Sequence, residues 1–104
     1  MNKTEVVNKA IEFSKKAKQY IMFNRVVLFG SYVNGKPRED SDIDIAFFVN
    51  ELSDNIDYYN LLIELNKLAG KIDSRIEPHI LTNDSESGFS EMIQLNGEEI
   101  LLVN

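Results

Sequence analysis

Two aspartates separated by one residue, Asp42 and Asp44, begin a strongly apolar segment of this 104-residue chain. Residues 42–49 are rich in β-branched and aromatic side chains, which predicts a strand. Side chains at positions i and i+2 of a strand point to the same face, so the two carboxylates lie side by side while Ile43 and Ile45 point into the core. Neighbouring carboxylates repel and raise each other's pKa. A divalent cation relieves that repulsion, and all-oxygen ligation with few protein ligands is typical of Mg²⁺.

Gly30 and Ser31 follow a short apolar segment, residues 25–29, that predicts a buried strand. Glycine lets the backbone approach a ligand closely, and the amides at the start of a helical turn attract phosphate. The Ser31 hydroxyl adds a hydrogen-bond donor. A phosphate-binding turn and a metal-binding acid pair are what phosphoryl or nucleotidyl transfer requires, because its catalysis is mainly positioning and charge neutralisation.

Hydrophobic periodicity predicts the elements that position these residues. Helices are predicted over residues 4–22, 55–70 and 89–95. Strands are predicted over residues 25–29, 42–49, 73–81 and 99–103. Thr4 is the predicted N-cap of the first helix, Gly70 suits the end of the second, and Pro78 indicates an edge strand or a bulge. This order of elements predicts one domain over residues 1–104, an α/β (α+β) fold with a small mixed sheet covered by helices.

The whole motif around these residues is more specific than either part. Gly30-Ser31, ten residues, then Asp42-Ile43-Asp44, with Gly35, Arg38 and Ser41 in the gap, resembles the DNA polymerase β-like nucleotidyltransferase superfamily. The length of the chain makes it similar to the minimal nucleotidyltransferase (MNT) branch. An isolated Asp-x-Asp is weak evidence, whereas the full motif on a strand–turn–strand is specific. The resemblance implies the polymerase β-like fold and transfer of NMP, with AMP from ATP favoured, onto a hydroxyl group.

The same resemblance implies roles for individual residues. Asp42 and Asp44 would hold two Mg²⁺ ions, with Mn²⁺ as an alternative. Gly30 and Ser31 would hold the β- and γ-phosphates of the nucleotide. The implied nucleotide-binding residues are Gly30, Ser31, Arg38 and Ser41. Pairing of Arg38 with the neighbouring acids of its loop is an equal alternative to a phosphate contact.

A third carboxylate, on the neighbouring strand, belongs to the superfamily's pattern. In the segment IEPHIL, Glu77 corresponds to that position, and alternation places it on the face opposite Ile76 and Ile80. The resemblance implies that Glu77 would bind the metal nearer the nucleophile and accept its proton. Asp73 shares the parity of Glu77 and is its rival. His79, the single histidine of the sequence, is interpreted as a packed or hydrogen-bonded residue in preference to a ligand.

Composition limits the class of protein. An apolar fraction of 43% and a charged fraction of 27% are ordinary for a globular protein. The sequence contains no apolar run of about eighteen residues that would span a membrane, and no cysteine, which fits a reducing compartment and a cytoplasmic location. The net charge of −6 disfavours sequence-independent binding of nucleic acid, which depends on neutralising phosphates.

Two functions of different classes fit this sequence. The chain is similar to the antitoxins of MNT–HEPN toxin–antitoxin pairs, in which the MNT protein adenylylates a tyrosine of the HEPN toxin. The alternative is a non-catalytic antitoxin or scaffold that neutralises a HEPN partner by binding alone. Three grouped carboxylates favour the enzyme, because a scaffold has no need to pack them together. The nucleotide preference and the oligomeric state are left open.

Overall fold

The computed structural model describes residues 2–34, 41–50, 57–82 and 88–102. Its helices are α1 Lys3–Ala17, α2 Ser31–Asn34, α3 Tyr58–Ile72 and α4 Gly88–Asn96. Its strands are β1 Arg25–Phe29, β2 Ile43–Val49, β3 Ile76–Thr82 and β4 Glu98–Glu99. The predicted order of helices and strands is confirmed, including the helical turn after Gly30.

The four strands form one mixed sheet in the order β3-β2-β1-β4, which confirms the predicted fold class. Strand β1 pairs antiparallel with β2 and with β4, whereas β2 and β3 are parallel. Parallel neighbours require a crossover connection, and α3 supplies it. Strand β3 lies at the edge of this sheet, as Pro78 predicted, because a residue without an N–H is tolerated where one side of the strand has no partner strand.

Alternation along the strands gives the sheet two different faces. The first face packs against α1 and α3, and its buried side chains include Ile43, Ile45 and Phe47. The second face packs against α4 through a smaller cluster that includes Val27, Phe48 and Ile93. The sheet is therefore fixed from both sides, and the polar residues described below occupy one end of the second face.

The first helix differs from its prediction at both ends. Asn2, rather than Thr4, is the N-cap, and its side chain accepts a hydrogen bond from the backbone N–H of Glu5 at 2.9 Å. The helix ends at Ala17 instead of residue 22. Ile21 extended the apolar periodicity because it is buried in the core, although it reaches the core from the segment after the helix.

The prediction that Gly70 ends the second helix is wrong. Helix α3 continues to Ile72, and Asp73 is its C-cap. Asp57 is the N-cap and accepts a hydrogen bond from the backbone N–H of Asn60, while the predicted start at residue 55 lies outside the described residues. Because the helix continues past Gly70, β3 begins at Ile76 rather than at residue 73.

Two of the strands are shorter than predicted. Strand β2 begins at Ile43, so Asp42 immediately precedes it. The last strand is confined to Glu98–Glu99, while the end of its predicted range, residue 103, lies outside the described residues. Within the described ranges, no helix combines the length and apolar character needed to cross a membrane.

Candidate active site

One end of the second face of the sheet carries polar side chains. Phe29 of β1, Asp44 of β2 and Glu77 of β3 are neighbours in a single row across three strands. In a parallel pair, register neighbours point to the same face, so Asp44 and Glu77 lie side by side. Asp44 is half-buried, and Glu77 is more exposed. The strand register alone therefore brings these two carboxylates together.

Asp42 joins this pair from the segment just before β2. It lies two residues before Asp44 and is exposed. Its carboxyl group is close enough to Glu77 to raise the pKa of that residue. Strand register thus brings Asp44 and Glu77 together, and Asp42 lies near Glu77 at the same end of the sheet, outside the group of ligand atoms within 4.8 Å of one another.

The pKa of Glu77 is raised above its ordinary value. The largest cause is the loss of hydration at its carboxyl group, and the negative charges of Asp44 and Asp42 raise the pKa further, while His79 opposes them. A carboxylate whose pKa is raised takes up a proton more readily, which is the property required of a general base.

His79 lies next to the carboxylates as a packed and hydrogen-bonded residue, as the sequence interpretation had it. It follows Glu77 by two residues on β3, and its Nε2 lies 3.3 Å from Oδ1 of Asp44. One ligand atom from each of Asp44, Glu77 and His79 lies within 4.8 Å of the others. This position follows from the sequence, because His79 shares the parity of Glu77 on the same predicted strand.

The donor set at this end of the sheet suits a divalent cation. Carboxylate oxygens suit both Mg²⁺ and Mn²⁺, and an imidazole nitrogen is a ligand for transition-metal ions in preference to Mg²⁺. Without a cation the carboxylates repel one another, in agreement with the raised pKa of Glu77. The side chains that would hold a cation are those of Asp42, Asp44 and Glu77, with His79 alongside them.

Gly30 closes the side of the site next to Asp44. Its φ of +85° lies in the left-handed region, which glycine adopts without strain. A Cβ atom at this position would overlap Oδ2 of Asp44. Gly30 is therefore required for two reasons, the turn that ends β1 and the space that the Asp44 carboxylate occupies.

The remaining predicted nucleotide-binding residues surround this turn. Ser31 is the first residue of α2 and is half-buried. Ser41 is half-buried and immediately precedes Asp42. Arg38 lies outside the described residues, as does Gly35. Their contribution to phosphate binding stays a prediction.

Asp73, the rival third carboxylate, has a different set of partners. Its Oδ2 lies 2.7 Å from Lys9 Nζ and 2.7 Å from an Arg75 guanidinium nitrogen. Hydrogen bonding from Arg75, followed by that from Lys9, holds the pKa of Asp73 well below its usual range. The side chain is only 7% exposed. Asp73 thus joins α1 to the end of α3 as a neutralised acid, while Glu77 lies beside Asp42 and Asp44.

Comparison with protein families gives a match over nearly the whole chain. The family described as "Polymerase beta, Nucleotidyltransferase" matches residues 8–103. A protein of Methanocaldococcus jannaschii, whose name proposes protein adenylyltransferase activity, is 26% identical over 98 residues. That alignment covers 92% of this chain and 99% of the relative.

Solved structures share the fold. A proposed nucleotidyltransferase from Sulfolobus solfataricus has a TM-score of 0.66 at 16% identity, over 93% of this chain and 80% of that one. A chain of a toxin–antitoxin crystal structure with AMP-PNP has a TM-score of 0.62 at 28% identity, over 94% and 74%. A chain from a structure of the tri-AMPylated Shewanella oneidensis HEPN toxin with its MNT antitoxin has a TM-score of 0.61 at 24% identity, over 97% and 73%.

Proposed function

This chain belongs to the polymerase β nucleotidyltransferase family, and we propose that it transfers AMP from ATP onto a hydroxyl group of a partner protein. The meeting of Asp42, Asp44 and Glu77 beside the turn at Gly30 carries this proposal. Asp44 lies on β2, Glu77 on β3, and Asp42 in the segment before β2. The register of β2 and β3 places no apolar side chain between Asp44 and Glu77. A nucleotidyltransferase needs such a carboxylate cluster next to a phosphate site.

The proposed roles divide along the site. Asp42 and Asp44 would hold the divalent cations, Mg²⁺ in the first instance, with Glu77 as a further ligand, and these cations would neutralise the triphosphate and the developing charge at the α-phosphorus. The backbone at Gly30 and the hydroxyl of Ser31 hold the β- and γ-phosphates, with Ser41 and Arg38 as further nucleotide contacts. Because Asp44 lies against Gly30, the phosphate-binding turn and the cation-binding acid are in direct contact, and their separation is fixed by the backbone.

Glu77 acts on the other side of Asp44, where the acceptor hydroxyl enters. In the cation-free protein the pKa of Glu77 is raised by desolvation and by the neighbouring acids, and a carboxylate in this position would accept the proton of the hydroxyl. In the reaction, the acceptor oxygen forms a bond to the α-phosphorus, the bond to the bridging oxygen breaks, and pyrophosphate leaves. The proton of the hydroxyl passes to Glu77. The order across the sheet is thus phosphate turn, cation-binding acids and proton acceptor.

The proposed acceptor is a tyrosine of a HEPN toxin, so that the chain acts as an antitoxin. Three comparisons direct this choice. The relative from Methanocaldococcus jannaschii has a name that proposes protein adenylyltransferase activity, and a toxin–antitoxin structure with AMP-PNP is 28% identical. A fold neighbour was solved with a tri-AMPylated HEPN toxin, which makes a HEPN partner the first protein to test.

The second candidate function is neutralisation of the partner by binding alone. The carboxylate cluster argues against it, because three acids that repel one another lower stability without serving a binding surface. Incubation of this chain with its cognate HEPN protein, ATP and Mg²⁺, followed by intact-mass measurement of the partner, separates the two. The enzyme adds one or more AMP masses to a partner tyrosine, and Asp44→Asn abolishes the addition while the complex still forms. A stable complex without added mass at saturating ATP would favour the scaffold.

A further inference from the structure

The imidazole of His79 is held beside the carboxylate cluster by its place on β3 and by packing. It belongs to the same strand and face as Glu77, and its register neighbour on β2 is Ala46, a small side chain. The imidazole packs against the Phe29 ring with centroids 5.1 Å apart. Its side chain is 27% exposed, so the ring is held by packing and one edge still reaches the site. Strand geometry and packing therefore direct Nε2 towards the carboxylates.

The distances around His79 Nε2 are compatible with a bound cation as well as with a hydrogen bond. The separation of 3.3 Å between Nε2 and Asp44 Oδ1 is longer than a well-formed hydrogen bond. In an octahedral site with metal–ligand bonds of about 2.1 Å, adjacent ligand atoms lie about 3 Å apart and opposite ones about 4.2 Å apart. The ligand atoms of Asp44, Glu77 and His79 lie within 4.8 Å of one another. Small side-chain shifts therefore allow all three to bind one cation.

We propose that His79 is a ligand of the cation held by Asp44 and Glu77, and that it makes this position select Mn²⁺ over Mg²⁺. Mg²⁺ prefers oxygen ligands and retains its water, whereas Mn²⁺ lies in the transition series, whose ions accept imidazole nitrogen. Two carboxylates and one imidazole leave coordination positions for nucleotide oxygens and water. This inference rests on the proposed function, because it specifies the cation used at the same site.

The competing role for His79 is that of a positioning residue, donating a hydrogen bond from Nε2 to Asp44 without touching the cation. The two roles differ in what they do to selectivity. A ligand nitrogen strengthens the binding of Mn²⁺ and adds little for Mg²⁺, whereas a positioning hydrogen bond acts through Asp44 on both ions alike. The ratio of the two affinities therefore separates them, and overall activity does not.

The test uses the full chain without nucleotide, titrated with Mn²⁺ while the electron paramagnetic resonance signal of free Mn²⁺ is followed, with Mg²⁺ as competitor. We expect the wild type to bind Mn²⁺ at least about tenfold more tightly than Mg²⁺. His79→Gln should lower the Mn²⁺ affinity about tenfold and leave the Mg²⁺ affinity within about twofold. Pulsed measurements should detect coupling of bound Mn²⁺ to an imidazole nitrogen in the wild type and not in the variant. Asp73→Asn, an acid with its own two cationic partners, is the matched control and should leave Mn²⁺ binding unchanged.

Two results would overturn the inference. One is bound Mn²⁺ with no nitrogen coupling in the wild type. The other is an equal loss of Mn²⁺ and Mg²⁺ affinity in His79→Gln, checked against His79→Asn with both variants shown to be folded by circular dichroism. Nitrogen coupling without AMP transfer would keep the inference and remove the proposed function. AMP transfer with equal use of Mg²⁺ and Mn²⁺, and without nitrogen coupling, would keep the proposed function and remove the inference about His79.

Discussion

Removing the charge of Glu77 should make the cation-free protein more stable while removing its activity. The ligand oxygens of Asp44 and Glu77 lie within 4.8 Å of each other. At that distance two unit charges repel by about 1 kcal/mol in water, and the exposure of Glu77 argues for this solvent-screened value. One kcal/mol corresponds to roughly 4 °C in the Tm of a chain of this size. Glu77→Gln should therefore raise the Tm by about 4 °C in the presence of a chelator.

The pH dependence of this gain follows from the raised pKa of Glu77. A carboxyl whose folded pKa exceeds its unfolded value binds a proton more tightly in the folded state, so the wild type loses stability as the pH rises through the folded pKa. Glutamine does not ionise and avoids that loss. The advantage of Glu77→Gln should be complete at about pH 8, where the Glu77 carboxyl is ionised, and should shrink towards zero as the pH falls to about 4.

Thermal unfolding followed by circular dichroism at pH 8 and pH 4, with a chelator present, measures this effect. Asp73→Asn is the opposite case, because it breaks ion pairs to Lys9 and Arg75 and should lower stability by about 1–3 kcal/mol. Glu64→Gln, an exposed acid 3.5 Å from Lys67, should change the Tm little. A fall in Tm for Glu77→Gln, or an equal gain at both pH values, would refute the repulsive cluster.

Three further predictions concern the acid pair, the turn at Gly30 and the interior of α3. Mg²⁺ or Mn²⁺ with ATP should raise the wild-type Tm by mass action. The double variant Asp42→Asn, Asp44→Asn should have a higher Tm than the wild type without metal and should show no ligand-induced shift. An unchanged shift in the double variant would place the cation elsewhere. Gly30→Ala should reduce transfer more than Ser31→Ala, because a Cβ at position 30 overlaps Asp44 Oδ2 and the φ of this residue is positive. Loss of the Ser31 hydroxyl costs about 1–3 kcal/mol, or roughly one to two decades in rate. Equal small effects of the two variants in a transfer assay would count against a phosphate-binding turn here. Gly70→Ala should stabilise the protein by about 0.5–1 kcal/mol in denaturant titration, since the position is helical and a Cβ there meets no atom within 4 Å. Destabilisation would contradict the assignment of Gly70 to the interior of α3.

Much of the fold followed from local patterns, because its strands are rich in β-branched and aromatic residues and its turns contain strong breakers. Strand β1 was predicted at its observed ends, since Arg25–Phe29 is a short apolar run that stops at a glycine. Pro78 predicted an edge strand or a bulge because it lacks an N–H, and the structure has the edge strand. Helix ends were predicted less well. Capping by Asn2 depends on a side-chain hydrogen bond, whereas at the C-cap Asp73 the backbone N–H donates to the Ala69 carbonyl, and Gly70 is compatible with both the interior and the end of a helix.

The candidate site was predictable to the extent that it depends on parity along a strand. Parity placed Asp42 with Asp44 and Glu77 with His79, but it could not separate Glu77 from Asp73. The separation comes from tertiary contacts: Asp73 is neutralised by Lys9 of a helix 64 residues away in sequence, and Glu77 is the register neighbour of Asp44. The contact between Gly30 and Asp44 was equally hidden, because it joins the end of one strand to the side chain of another.

The fate of each phosphate of ATP tests the central claim most directly. ATP labelled at either the α- or the γ-phosphate is incubated with this chain, Mg²⁺ or Mn²⁺, and its cognate HEPN partner, and the label is followed on the partner and in the released product. Nucleotidyl transfer through Asp42, Asp44 and Glu77 predicts that the α-label moves to the partner and the γ-label leaves in pyrophosphate, and that Asp44→Asn stops both. Transfer of the γ-label to the partner, or transfer of the α-label that survives Asp44→Asn, would contradict the account.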